Sequence, residues 1–119
     1  MIMTLTERTI GDVTVLDLKG RLVFEDGDEL LRSRIDGLVA AGRLKIVIQM
    51  KHVTYIDSCG VGVLIAKYVS LRRKGGDVRL LSLSPRSYHV MEISGLLGVF
   101  QTFRSEADAV ASYSDMASG

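Results

Sequence analysis

The residues best suited to chemistry are Asp57, Ser58 and Cys59, in the run Tyr55-Ile56-Asp57-Ser58-Cys59-Gly60-Val61-Gly62. A carboxylate, a hydroxyl and a thiol in sequence suit nucleophilic attack, phosphate acceptance or helix capping, and the flanking residues separate these chemistries. A hydrolase nucleophile at such a strand-to-helix turn needs the Gly-x-Ser-x-Gly elbow, which this run lacks. A triad would have to recruit His52 or His89, the two histidines of the chain, with no supporting pattern. One cysteine and two scattered histidines give none of the metal-ligand spacings, and Cys59 reads as a small, half-buried helix residue. Gly60-Val61-Gly62 lacks the third glycine of the dinucleotide loop and the Lys-Ser/Thr of the P-loop; close helix-sheet packing accounts for small residues there. Glu25, Asp26, Asp28 and Glu29 cluster before a helix, where acids favour its positive end or form a polar rim for a partner. No catalytic set, cofactor site or metal site emerges, so the chain reads as non-enzymatic.

Two readings of Asp57-Ser58 remain. Either side chain can cap the first-turn amides of the following helix. Alternatively, Ser58 is a modification site: a phosphate brings about −1.5 to −2 charges and three acceptor oxygens to the helix start. Beside Asp57 its field would project outward, against any surface complementary to a neutral hydroxyl.

The elements that must position this run follow from periodicity. Leu5 to Ile10 and Val13 to Leu18 read as a hairpin across Gly11-Asp12. From Asp26 the period changes, with Leu31, Ile35, Leu38 and Val39 on one helix face and Gly42 closing it. Lys45 to Met50 and Asp77 to Leu83 are apolar strand-type runs. The helix between them spans Ser58 to Lys74, with Val61, Leu64, Ile65 and Tyr68 inward and Gly75-Gly76 as the stop. Arg72, Arg73 and Lys74 in its last turn complement the helix dipole as a solvated helix end. This strand-helix-strand unit predicts a right-handed crossover between parallel strands. Ser84-Pro85 opens another helix as cap and first residue, with Val90, Ile93 and Leu97 as its apolar line. Val99 to Thr102 predicts a last strand, Phe103, Ala107, Val110 and Ala111 a last helix, and Asp115 to Gly119 a frayed tail. The expected fold is α/β: a mixed sheet of about four to five strands with about four helices.

Composition bounds the rest. The 119 residues suit a single domain, expected over 1–119 with an ordered core over about 3–114. Hydrophobic residues make up 47% of the chain, enough for a core without staples. Fifteen Lys and Arg against 14 Asp and Glu leave a net charge of +1, which does not suggest nucleic acid as a partner. The N-terminus lacks signal-peptide character, and the longest apolar stretch, about Cys59 to Val69, is broken by Lys67, so no membrane insertion is expected. One cysteine makes no internal disulfide, and a cytoplasmic location is the expectation.

Three stretches in order resemble the STAS domain, and more narrowly the stand-alone bacterial anti-sigma factor antagonists. Asp57-Ser58-Cys59-Gly60-Val61-Gly62 resembles the family's Asp-Ser-Ser/Ala/Thr-Gly-aliphatic-Gly signature. Val15-Leu16-Asp17-Leu18-Lys19-Gly20-Arg21-Leu22 resembles its early strand, and Ile93-Ser94-Gly95-Leu96 with Val99-Phe100, followed by Glu106-Ala107, its C-terminal segment. The resemblance implies that a serine kinase, itself an anti-sigma factor, phosphorylates Ser58. The unphosphorylated protein would bind that kinase and free its client, and a phosphatase would restore Ser58. It also implies that Asp57 shapes the acceptor site and that Cys59, Gly60 and Val61 form part of the contact. Two departures stand out: Val23 where many antagonists carry an Asp near the phosphorylation site, with Glu25 or Asp26 as substitutes, and Cys59 where the family more often carries Ser, Ala or Thr. Other outcomes within the fold are a nucleotide-sensing domain, a regulator with a non-sigma output, and a structural subunit of a larger signalling assembly.

Overall fold

The structure, a computed structural model, describes residues 2–116. Strands β1 (Thr4–Ile10) and β2 (Val13–Leu22) form the expected hairpin, with Ile10 opposite Val13 and Thr4 opposite Lys19. Gly11 takes the left-handed conformation, φ +61°, that so tight a turn requires. Helix α1 (Asp28–Ala40), strand β3 (Lys45–Ile56), helix α2 (Ser58–Arg73), strand β4 (Asp77–Leu81), helix α3 (Pro85–Ile93), strand β5 (Thr102–Phe103) and helix α4 (Glu106–Ala111) follow, and a 3-10 turn covers Ser112–Asp115. The sheet order is β1-β2-β3-β4-β5, antiparallel at the hairpin and parallel throughout the rest.

Alternation along β2 divides the interior. Leu16, Leu18 and Leu22 enter the main core with Ile46, Ile48, Leu31, Ile35, Leu64 and Leu71, the layer filled by α1 and α2. Val13 and Val15 face the other way, with Val47 and Leu81, under Ala109 of α4 and Tyr113. Tyr113 fastens that second layer. Its hydroxyl accepts from the Ile46 amide at 3.2 Å and lies 2.6 Å and 2.7 Å from the Ile46 and Asp77 carbonyls. Arg79 lies over its ring at 4.0 Å while donating to Asp77 at 2.9 Å. Burial pushes the Tyr113 hydroxyl far above its ordinary pKa, so it stays a neutral donor.

Several boundaries differ from the sequence expectation. Strand β3 runs on to Ile56 instead of ending at Met50, because β2 keeps pairing with it across two register shifts. Strand β4 accompanies it only as far as Gln49. Beyond that point α3 packs along β3: the Ser84 hydroxyl caps α3 by accepting from the Ser87 amide and donates to the Val53 carbonyl at 2.9 Å. Strand β4 stops at Leu81, not Leu83, where Ser82 turns with φ +53°. Helix α1 starts at Asp28, not Asp26, since the Val23 carbonyl collects the amides of residues 26 to 28 in a tight turn. On α3, Ser87 and Met91 face inward while Ile93 is 69% exposed, and Leu97 lies past the helix end, packed on the core. Phe100 is buried against Tyr68, so the last strand shifts to Thr102–Phe103. Phe103 thus leaves α4, whose inward residue is Ala109 while Ala107 and Ala111 are exposed. At the tail, Asp115 closes the 3-10 turn and Met116 packs on the second cluster; 117–119 lie outside the described residues. No described helix is long and apolar enough to cross a membrane.

Candidate functional site

Strands β2, β3 and β4 are parallel, so the loops leaving their carboxyl ends gather at one end of the sheet, where α/β proteins place function. The β3 to α2 junction is a single residue, Asp57. Its backbone is extended, and Val61 donates to its carbonyl at 3.0 Å to start the helix. One carboxylate oxygen accepts from the Gly60 amide at 3.0 Å, the capping contact. The other accepts from the Phe24 amide at 3.1 Å and ties the β2–α1 loop to the head of α2. Partial burial pushes the Asp57 pKa up, but amide hydrogen bonds from Gly60, Phe24 and Cys59 outweigh it, and the net shift is downward. Asp57 is therefore an ionised cap with both oxygens committed.

Ser58 follows as the first helical residue, exposed, and its hydroxyl has no hydrogen bond among the described residues. The capping role falls to Asp57 and leaves the serine oxygen facing water. Cys59 is a free, half-buried thiol. Gly60 and Val61 turn inward. A Cβ on Gly60 would stand 2.2 Å from the Leu22 carbonyl oxygen, so only glycine lets α2 approach β2 this closely. Val61 joins the main core. Packing does not explain Gly62, contrary to the sequence reading: it is exposed, and a Cβ there meets nothing within 4 Å.

The acidic residues separate. Asp26 accepts from the Met3 amide at 2.9 Å and so anchors the N-terminal strand. Glu25 is exposed, with φ +58°. Asp28 is buried and bonds the Glu29 amide at 2.8 Å. Val23 is buried as well, so no side chain from that position reaches the rim. The residue the sequence reading missed is Phe24, 61% exposed and fixed beside Asp57 through its amide. The signal was an aromatic residue in a loop between a strand and an acidic helix start.

Comparison with known proteins decides the lineage. The STAS domain family model matches residues 5–109. The chain belongs to the STAS domain family. This STAS chain is 25% identical over 99 residues to the anti-sigma F factor antagonist of Paenibacillus polymyxa, covering 82% of this chain and 84% of that protein. It is 30% identical over 111 residues to the Bordetella bronchiseptica protein BtrV, provisionally named an anti-sigma factor antagonist, covering 93% and 95%. In fold it matches the anti-sigma factor antagonist SpoIIAA in its unphosphorylated form, with TM-score 0.81, 23% identity, and 97% and 100% of the two chains covered. The phosphorylated form of SpoIIAA, from Bacillus, matches with TM-score 0.74, 24% identity, and 92% and 98% covered. The STAS domain here is thus of the anti-sigma factor antagonist type.

Proposed function

We propose that this protein is a phosphorylation-switched anti-sigma factor antagonist with Ser58 as the phosphoacceptor. Unphosphorylated, it binds a kinase-type anti-sigma factor in the cytoplasm and releases the factor's client. In the switching step the terminal phosphoryl group leaves ATP as its bond to the bridging oxygen breaks, and it bonds to Ser58 Oγ. The serine proton passes to a base of the kinase, and ADP departs. Hydrolysis by a phosphatase returns the hydroxyl and inorganic phosphate.

The observation that carries this reading is the division of labour between Asp57 and Ser58. Asp57 holds the helix amides, so Ser58 is free to react and its modification leaves the cap in place. For the same reason a phosphate on Ser58 finds the Gly60 amide already taken and an ionised carboxylate beside it. Its charge is left facing outward, where a partner must desolvate or repel it. Ser58, Cys59, the bare Gly62 and the exposed Phe24 then form the partner surface, with Glu25 at its rim, while Gly60 and Val61 act from beneath by setting the height of the helix. Intact-mass measurement after incubation with the cognate kinase and ATP is expected to show one added phosphate, absent in Ser58→Ala. Addition to Ser58→Ala, or none to the native chain, refutes the assignment. Ser58→Asp is expected to weaken partner binding by at least about tenfold, or about 1.4 kcal/mol, relative to Ser58→Ala.

A further inference from the structure

Among the described residues, α1, α2 and α3 contribute to the main core on one face of the sheet, whereas on the opposite face α4 and the 3-10 turn cover Val13, Val15, Val47 and Leu81. Toward the carboxyl end, β2 and β3 continue past β4 as a two-stranded ribbon. Leu18, Leu22, Met50, Val53 and Ile56 of this ribbon enter the main core. The residues between them, Lys19 and Arg21 on β2 and Lys51, His52 and Tyr55 on β3, turn the other way and are exposed. Register sets Lys19 opposite His52 and Arg21 opposite Tyr55. Arg86, from the first turn of α3, lies over the Tyr55 ring at 4.1 Å.

The charges on this strip are unbalanced. Among the described residues Lys19, Arg21, Lys51 and Arg86 take part in no ion pair, while Arg8, Arg32, Arg34, Lys45, Lys67, Arg72 and Arg79 each do. Asp17, the carboxylate two residues before Lys19 on the same face of β2, is occupied by Arg8. Folding gains nothing from like charges crowded on neighbouring strands, which repel. Arg43, Arg73, Lys74 and Arg104 are also outside any ion pair among the described residues, so this bare strip holds four of the eight unpaired cations, with no carboxylate paired to them.

We infer that this strip is a docking surface for an acidic, extended segment of a partner protein, separate from the Ser58 surface. Charge supplies the fit. Lys19 and Arg21 flank Gly20, whose φ of +115° and the register shifts around it interrupt regular strand geometry, so the match is between clustered cations and the carboxylates of an extended acidic chain. Tyr55 with the Arg86 stem gives an apolar surface between the charges. Nucleic acid fits less well: Arg86 already occupies one face of Tyr55, the strip's one aromatic ring among the described residues, where a base would stack. Tyr55 is three residues from Ser58, at most about 10 Å along the chain. The strip lies on the side of the sheet opposite α2, so its occupant sits near Ser58 without covering it.

The test uses the full chain and a fluorescein-labelled ten-residue peptide of alternating Glu and Thr, read by fluorescence anisotropy at about 0.15 M ionic strength, where charges more than about 8 Å apart are largely screened. Lys19→Glu/Arg21→Glu is expected to weaken binding by at least about tenfold. Arg73→Glu/Lys74→Glu, the same charge change at the exposed end of α2, is expected to alter it by less than about twofold. All four positions are exposed, and melting curves check that both variants fold. Ser58→Glu is expected to keep the affinity within about twofold, which separates this result from the phosphoswitch. Equal losses in the two charge-reversed variants, no binding by the native chain, loss in Ser58→Glu, or tighter binding to oligo-dT or to phosphatidylserine vesicles each overturn the inference.

Discussion

Gly60 and Gly62 lie two residues apart on the same turn of α2, and replacing each with alanine is expected to move stability in opposite directions. Both gain helix propensity, about 1 kcal/mol per Gly→Ala change in a helix interior. At Gly62 the new methyl group meets nothing within 4 Å, so the gain stands alone. The chain's size sets the unfolding entropy so that about 1 kcal/mol moves Tm by about 4 °C, and Gly62→Ala should raise Tm by that amount. At Gly60 the methyl group would lie 2.2 Å from the Leu22 carbonyl oxygen, 3.0 Å from Leu22 Cγ and 3.1 Å from Ile56 Cγ1. The carbonyl is backbone, held in β2, so relief requires the head of α2 to lift by about 1 Å. That movement strains the Asp57 amide contact to the same Leu22 oxygen and the Asp57 bridge to Phe24. Overpacking of this kind costs about 1–3 kcal/mol and here meets rigid backbone; net of propensity, Gly60→Ala should lose about 2 kcal/mol, or about 8 °C. Thermal and urea unfolding of the three proteins would check this. A Gly60→Ala Tm at or above that of the native chain would show that α2 does not depend on this close approach. Partner capture adds a second readout: Gly62→Ala, although more stable, should bind the cognate kinase more weakly, since it places a methyl group on the surface assigned to contact.

Asp57→Ala should destabilise the fold by about 1–2 kcal/mol at neutral pH, through loss of the cap and of the bond to Phe24. Because the folded-state pKa of Asp57 is depressed below its ordinary value of 3.8, the charge-dependent part of that difference is fully present above 3.8. It is lost as pH falls through the lower folded value. The gap in urea midpoint between native and variant should be constant above pH 3.8 and narrow progressively as pH falls below it, and a gap that does not change with pH would mean that the carboxylate's charge is irrelevant. Tyr113→Phe keeps the ring under Arg79 but removes a hydroxyl that bonds Ile46 and reaches Asp77, and should cost about 1–3 kcal/mol. A change under about 0.5 kcal/mol would show that the C-terminal turn does not latch the second layer.

Much of the scaffold was legible in the sequence because it is local. The Gly11-Asp12 turn, the cap residues Ser84 and Pro85, the Gly75-Gly76 stop and the 3.6-residue line through Leu31 and Ile35 each act within a few residues and left a readable pattern. What was misread depends on distant partners. Gln49 to Tyr55 carry two register shifts that break alternation, so the extension of β3 is visible only once β2 lies beside it. Phe100 joined the core because Tyr68 awaited it, which displaced the last strand by a few residues.

At the site the same boundary holds. The sequence by itself determined that a carboxylate and a serine open a helix at the end of a parallel strand, because residue order and helix periodicity are properties of the chain. Only the tertiary structure decided which of the two is the cap, because the second oxygen of Asp57 is claimed by Phe24, 33 residues away in sequence. It also separated two glycines that look equivalent in the motif. Gly60 faces the backbone of β2 and Gly62 faces water, a difference created by the distance between a helix and a sheet and by nothing in the residues themselves.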